Sequence, residues 1–225
     1  MHLPNSVWII IPAYNEQENI KQVLKALLEV TANIVVVNDC SKDMTKKYVR
    51  AMPVTLLNHL VNRGQGAALQ TGTEFALKKG AEIIVHFDAD GQMQVKDIFK
   101  IIKPIENQQA EIVFGSRFLN QDLKIPWTKK YLILKPAIVF NWIFTGVKLS
   151  DAHNGFRALS KKAAQKIKIT QDGMAHATEI LEQTRIKNLK YQEIAVEIIY
   201  NQYGQGLRSG FKIIKDLVFA RFIKR

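Results

Sequence analysis

One cysteine, Cys40, stands in 225 residues. An internal disulfide is excluded, and the chain fits a reducing compartment. Cys40 reads as a small loop residue rather than a nucleophile. No His/Cys spacing suits a zinc centre. Long apolar runs are missing as well. A spanning helix needs about 18–20 apolar residues, and the best stretch, residues 136–147, is a charge-free run of 12. No basic segment followed by an apolar core opens the chain, so no secretory leader is expected. Internal repeats, low-complexity tracts and long linkers are absent too. What is present, 47% hydrophobic residues in a chain of this length, suits one core-bearing domain, with or without an appendage.

The net charge is +12, and its distribution says more than its size. Residues 1–115 hold 12 Lys+Arg and 12 Asp+Glu, whereas residues 116–225 hold 20 and 8. A uniformly basic nucleic-acid binder is not expected from such a split. The second half is built to meet anions, either phosphate groups or an anionic membrane.

Short β-branched runs at residues 7–11, 34–37, 54–57, 81–87 and 112–114 read as strands. Pro12 should end the first. Asn15, with Glu18 three residues on, matches a capping box, and Ile20, Val23, Leu24, Leu27 and Leu28 follow at helical spacing. Further helices are expected at about 67–79, 95–105 and 175–187, and another strand at 194–200. Alternating strands and helices imply an α/β fold with a mainly parallel, doubly wound sheet. Ligands to such sheets collect at the carboxyl ends of the strands. There the fourth strand runs into Asp88-Ala89-Asp90, where extended alternation puts both carboxylates on one side. Grouped carboxylates at that edge point to a divalent cation beside a phosphate. Asp-x-Asp is also common in plain surface turns, so the pair gains meaning only from its surroundings.

Those surroundings resemble family 2 glycosyltransferases. Ile11-Pro12-Ala13-Tyr14-Asn15-Glu16 and Val37-Asn38-Asp39-Cys40-Ser41-Lys42-Asp43 are similar to that family's opening motifs. Asn62-Arg63-Gly64-Gln65-Gly66-Ala67-Ala68, Asp88-Ala89-Asp90-Gly91-Gln92, Gly115-Ser116-Arg117 and Asp151-Ala152-His153-Asn154-Gly155-Phe156-Arg157 narrow the resemblance. They match the dolichyl/polyprenyl-phosphate hexose synthase branch, from about residue 7 to 210. The resemblance implies a GT-A fold over residues 1–205, with a nucleotide-sugar and metal half (1–115) and an acceptor half (116–205). It implies that Pro12, Ala13, Tyr14, Asn15, Glu16, Asp39, Arg63, Asp88, Ala89 and Asp90 bind the donor. Asp88, Asp90 and Gln92 would hold Mg²⁺ or Mn²⁺. Arg117, Arg157 and Arg208 would meet an acceptor phosphate, and Asp90, Arg117, Asp151 and Arg157 would carry catalysis.

The implied reaction is inverting transfer of a hexose from a nucleotide diphosphate sugar to a polyprenyl phosphate at the cytosolic membrane face. A lipid phosphate is already ionised and needs positioning rather than a strong base. A sugar-hydroxyl acceptor needs one, and Asp151 and Glu179 are the candidates. The same motifs would also suit a non-catalytic sugar-nucleotide-binding protein or a nucleotidyltransferase. Residues 127–147 mix aromatics with lysines, as at a membrane interface. Residues 206–225 read as a basic amphipathic helix suited to an anionic bilayer or to docking on the domain. A membrane-protein partner belongs to the same expectation. The chain departs from the pattern in three places. Asn38 stands where a second Asp is usual, Gln65 where Lys is frequent, and Tyr203-Gly204-Gln205-Gly206-Leu207-Arg208-Ser209 matches only in part. Gly64-x-Gly66 lacks the third glycine of a dinucleotide fingerprint.

Overall fold

A computed structural model describes residues 1–119, 142, 146–151 and 154–199. The expectations on residues 206–225, on Arg208 and on most of 127–147 fall outside them.

β1 (Val7–Ala13) and β2 (Ile34–Asn38) are buried nearly throughout, as strands covered on both faces must be. Side-chain alternation sends Ile9 and Ile11 into one core layer and Ile10 into the other. α1 (Ile20–Leu28), α2 (Thr45–Arg50) and α4 (Lys96–Glu106) cover the first layer. α3 (Gln65–Lys78), α5 (Lys161–Lys166) and α6 (His176–Ile186) cover the second. With β3 (Thr55–Asn58), β4 (Ile83–His86), β5 (Ile112–Ser116), β6 (Arg157–Ser160) and β7 (Tyr191–Ala195), the seven strands form one sheet. Its order is β3-β2-β1-β4-β6-β5-β7.

The sheet corrects four expectations. Pro12 does not end β1. The β1–β4 pairing stops at Ile10–His86, so beyond it no strand on that side asks Pro12 for a hydrogen bond. A short strand, β6, follows Phe156 and runs antiparallel to both neighbours in mid-sheet. Its four residues, opening on arginine, carry no readable period. The last strand begins at Tyr191 rather than Ile194. It is a half-buried edge, and Ile198 makes only an isolated bridge to Met93. Asn15 does not cap α1. Helix begins at Ile20 behind Asn19, and Asn15 sits at φ 57° in the connecting loop.

Candidate active site

The loops after β1, β2, β3 and β4 meet at the carboxyl edge of the sheet. Asn15 stitches the first two together. Its backbone N–H donates to Ser41 Oγ (3.0 Å), and its Oδ1 accepts from the Lys42 N–H (2.9 Å). Asparagine tolerates the left-handed backbone this turn demands. The Glu16 N–H donates to Thr45 Oγ1 and that of Gln17 to Asp43 Oδ2. A cleft of about 380 Å³ opens among Asn15, Glu16, Asn19, Lys42 and Asp43. Pro12, Ala13 and Ala89 are buried, whereas Tyr14 is exposed.

Asp39 is buried and organises the third loop. Its Oδ1 accepts from the Arg63 N–H (2.9 Å) and faces His59 Nδ1 (2.7 Å). Its Oδ2 accepts from the Gly64 N–H (2.6 Å), and His59 Nε2 lies 3.0 Å from Thr71 Oγ1. The carboxylate foreseen as a nucleotide contact is thus first the anchor of the glycine turn. That turn packs under residues 171–173. A Cβ on Gly66 would sit 2.0 Å from the Gln171 carbonyl oxygen, and the Gly66 N–H donates to Asp172 O (2.8 Å). Glu179 holds this covering loop by accepting from the N–H groups of Thr170 and Gln171 and from the Thr170 hydroxyl. Its carboxylate is committed to a loop clamp, which corrects its reading as a free base. Arg63 approaches Asp172 at 3.6 Å between half-exposed side chains.

β4 ends at His86, and Ala89–Asp90 form a turn. Strand alternation therefore does not explain the carboxylate pairing, although Asp88 and Asp90 still repel one another. Asp88 Oδ1 accepts from Gln65 Nε2 (2.8 Å), and Oδ2 lies against Gly155, where a Cβ would be 2.4 Å away. Burial, then Asp90, pushes the Asp88 carboxyl up to about 6. Burial also raises Glu16, with Asp90 a further cause. Asp90 Oδ1 accepts from the Gln92 N–H (3.0 Å). Carboxylates crowded enough to raise one another fit a hard divalent cation. Among the described residues no three His, Cys, Asp or Glu side chains converge. Asp88, Asp90 and the Gln92 amide would then leave coordination places for diphosphate oxygens and water, as Mg²⁺ prefers.

A pH dependence follows. Asp88 has its folded pKa raised, so its charge costs stability above about pH 6, and the cost disappears as pH falls towards the unfolded value. A cation competes with that proton. The rise in melting temperature with Mn²⁺ and a nucleoside diphosphate should be full at pH 7.5 and shrink as pH drops through about 6. Thermal scans across that range check it, and a shift unchanged at pH 5 would contradict it.

Arg117, just after β5, forms a fork on Asp151: Nε to Oδ2 at 2.7 Å and the terminal nitrogen to Oδ1 at 2.8 Å. The Arg117 N–H adds a bond to Oδ2. Asp151 is therefore the orienting partner of Arg117 rather than an open base. Glu193 on β7 secures the loop by accepting from the N–H groups of Ser150 and Asp151. Arg157, expected to meet an acceptor phosphate, lies inside the fold. It is 1% exposed, and its guanidinium donates to Asn154 O. Its charge counters that of Asp88 from within the fold. Burial, followed by Arg157, lowers the neighbouring His86 and His176, the latter to about 4, so both are neutral. Sequence reading missed His59, Gly155 and Glu193 as supports. Gln65 was visible only as a departure inside a motif.

A doubly wound sheet with carboxylates, a glycine turn and an arginine fork on one edge defines a GT-A enzyme of sugar transfer. The chain belongs to glycosyl transferase family 2, whose model matches residues 8–168. It is 33% identical to a UDP-N-acetylglucosamine–dolichyl-phosphate N-acetylglucosaminyltransferase of Methanococcus voltae, over 97% of each chain. It is 26% identical to a polyprenol monophosphomannose synthase of Mycolicibacterium smegmatis, over 88% of this chain and 78% of that one. Glucosyl-3-phosphoglycerate synthase of Mycobacterium tuberculosis, solved with Mn²⁺ and UDP-glucose, shares the fold. Its TM-score is 0.72 at 15% identity, over 94% of this chain and 76% of that one.

Proposed function

We propose that this glycosyltransferase moves a hexose or N-acetylhexosamine from a nucleotide diphosphate sugar to a polyprenyl or dolichyl phosphate, with inversion, at the cytosolic surface of a membrane. The observation that carries the acceptor is the engagement of both candidate bases. Asp151 is spent on Arg117 and Glu179 on the 170–171 loop. A hydroxyl acceptor needs a base to take its proton, whereas a phosphate acceptor brings its own anionic oxygen. The relatives named for dolichyl-phosphate and polyprenol transfer support the same reading.

In this reading the Asn15–Lys42 and Asp39–Gly64 turns receive the nucleotide. Asp88, Asp90 and Gln92 hold Mg²⁺ or Mn²⁺, which when bound neutralises charge on the departing diphosphate. Arg117, fixed by Asp151, orients the acceptor phosphate beside the sugar. Arg157 opposes part of the rise that burial and Asp90 impose on the Asp88 carboxyl. Among the described residues no helix is long and apolar enough to cross a membrane. The excess basic charge of residues 116–225 suits an anionic lipid surface.

The test is a donor panel of UDP-N-acetylglucosamine, UDP-glucose and GDP-mannose. It is run with and without a short-chain polyprenyl phosphate, in Mg²⁺ and in Mn²⁺, following nucleoside diphosphate release. Release from one donor that requires the lipid phosphate is the expected result. Donor turnover stimulated by sugar hydroxyls and indifferent to the lipid would overturn it.

A further inference from the structure

The contact between Gln65 and Asp88 joins two parts of the site that the motifs treat separately. Gln65 is the first residue of α3, directly after the Gly64 turn that Asp39 anchors. Its side chain crosses to the β4 loop, where Nε2 donates to Asp88 Oδ1 at 2.8 Å. Asp88 Oδ2 is confined on its other side by Gly155. A short carboxylate held at both oxygens has little rotamer freedom left. The nature of the donor matters as much as its position. An amide fixes the oxygen through a neutral dipole and leaves the full negative charge on Asp88. A lysine ammonium in the same place would cancel that charge and contend with a cation for it.

Resting on the metal-dependent reading above, we propose that Gln65 is a positioning residue for the divalent cation: it presents Asp88 to the metal without neutralising it. The glycine turn and the cation site thereby become one mechanical unit. The nucleotide turn sets where α3 begins, and the first side chain of α3 sets the metal carboxylate. Gln65 reaches the site through Asp88, so its effect belongs to cation affinity and not to the nucleotide.

The experiment is a Mn²⁺ titration of the whole protein by electron paramagnetic resonance, with saturating UDP in one series and GDP in another. Nucleotide binding in EDTA is measured alongside. Gln65→Met keeps the length and removes the donor, and should weaken Mn²⁺ by about tenfold, the size expected for a bond to a charged group. Gln65→Lys keeps a donor and adds charge, and should weaken Mn²⁺ at least as much. Nucleotide affinity in EDTA should stay within about twofold of wild type in both. Wild-type Mn²⁺ affinity in the Met variant overturns the proposal, as does a loss of nucleotide affinity in EDTA as large as the loss of Mn²⁺ affinity. Wild-type affinity in the Lys variant overturns the electrostatic half. Failure of the wild-type protein to bind Mn²⁺ with either nucleotide sinks the metal-dependent reading itself, and this inference with it. Melting temperatures of the two variants should fall by no more than a few degrees, the effect of one lost hydrogen bond at a half-buried helix start.

Discussion

Gly155→Ala is expected to cost as much turnover as removing the Asp88 carboxylate, while the protein stays folded. The added Cβ would stand 2.4 Å from Asp88 Oδ2, 3.0 Å from Oδ1 and 3.1 Å from Cγ. Separations below 3.0 Å cannot persist, so something must move. The backbone around residue 155 is held on both sides. Asn154 Oδ1 accepts from the Phe156 N–H, and the Phe156 carbonyl accepts from the Gly115 N–H. Asp88 is the softer party, since only its side chain needs to swing. Doing so breaks the Gln65 bond and points the carboxylate away from the cation. A displacement of about 1 Å at a reacting centre costs on the order of 10²-fold in rate, and loss of a cation ligand costs more. Circular dichroism should be unchanged, with Mn²⁺ affinity and turnover both collapsed. An active Gly155→Ala enzyme would show that Asp88 is free to reposition and that the cradle has no part in the site.

Arg157→Met should destabilise the fold by about 1–3 kcal/mol at pH 8, the range for a buried group left uncompensated, because Asp88 loses a nearby countercharge rather than a contact ion pair. The lower end applies because, among the described residues, two guanidinium nitrogens, Nε and one terminal nitrogen, have no hydrogen-bond partner to lose. The penalty is expected to depend on pH, and its sign follows from Asp88. With Arg157 present, burial and Asp90 already hold that carboxyl near 6. Removing the countercharge raises it further. A carboxyl whose folded pKa exceeds its unfolded value costs nothing below the unfolded value. The cost grows as pH climbs to the folded value and stays constant above it. The variant should therefore lose more stability at pH 8 than at pH 5, where Asp88 takes a proton instead. Denaturant unfolding at both values checks this, and a loss independent of pH would mean that Arg157 does not act through Asp88. Turnover should fall too, with the acid limb of the rate profile moved to higher pH.

The first half of the fold was legible because its strands are β-branched runs and its helices keep a strict apolar spacing. Ile20, Val23, Leu24 and Leu27 are all buried, as their spacing implies. β6 was not legible. Four residues beginning with a buried arginine look like the end of a polar loop, and only their neighbours β4 and β5 make them a strand. The same limit governed the site. Motifs singled out Asp39, Asp88, Asp90, Arg117 and Asp151, and the strand order put the Asp39 and Asp88 clusters at the carboxyl edge of the sheet. They carried no information on which charges would be spent on one another, because Asp151 and Arg117 are 34 residues apart and meet only through the sheet. The burial of Arg157 was not legible either, since an arginine in a motif reads as a ligand for anions. His59 and Glu193 lay in no motif, and nothing in their sequence neighbourhood marked them.

The position of β6 bears on how the chain reaches this state during synthesis. β5 is joined to the rest of the sheet through β6 alone, since its other neighbour is β7 at the edge. When residue 116 leaves the ribosome, β1 to β4 can assemble, but β5 has no strand to join. It must wait for residues 157–160, and β4 meanwhile offers an open edge of Ile83, Ile84 and Val85. Pairings this distant in sequence form slowly, and exposed apolar edges invite other chains. The nascent protein is thus most in need of a chaperone between the synthesis of its fifth strand and its sixth.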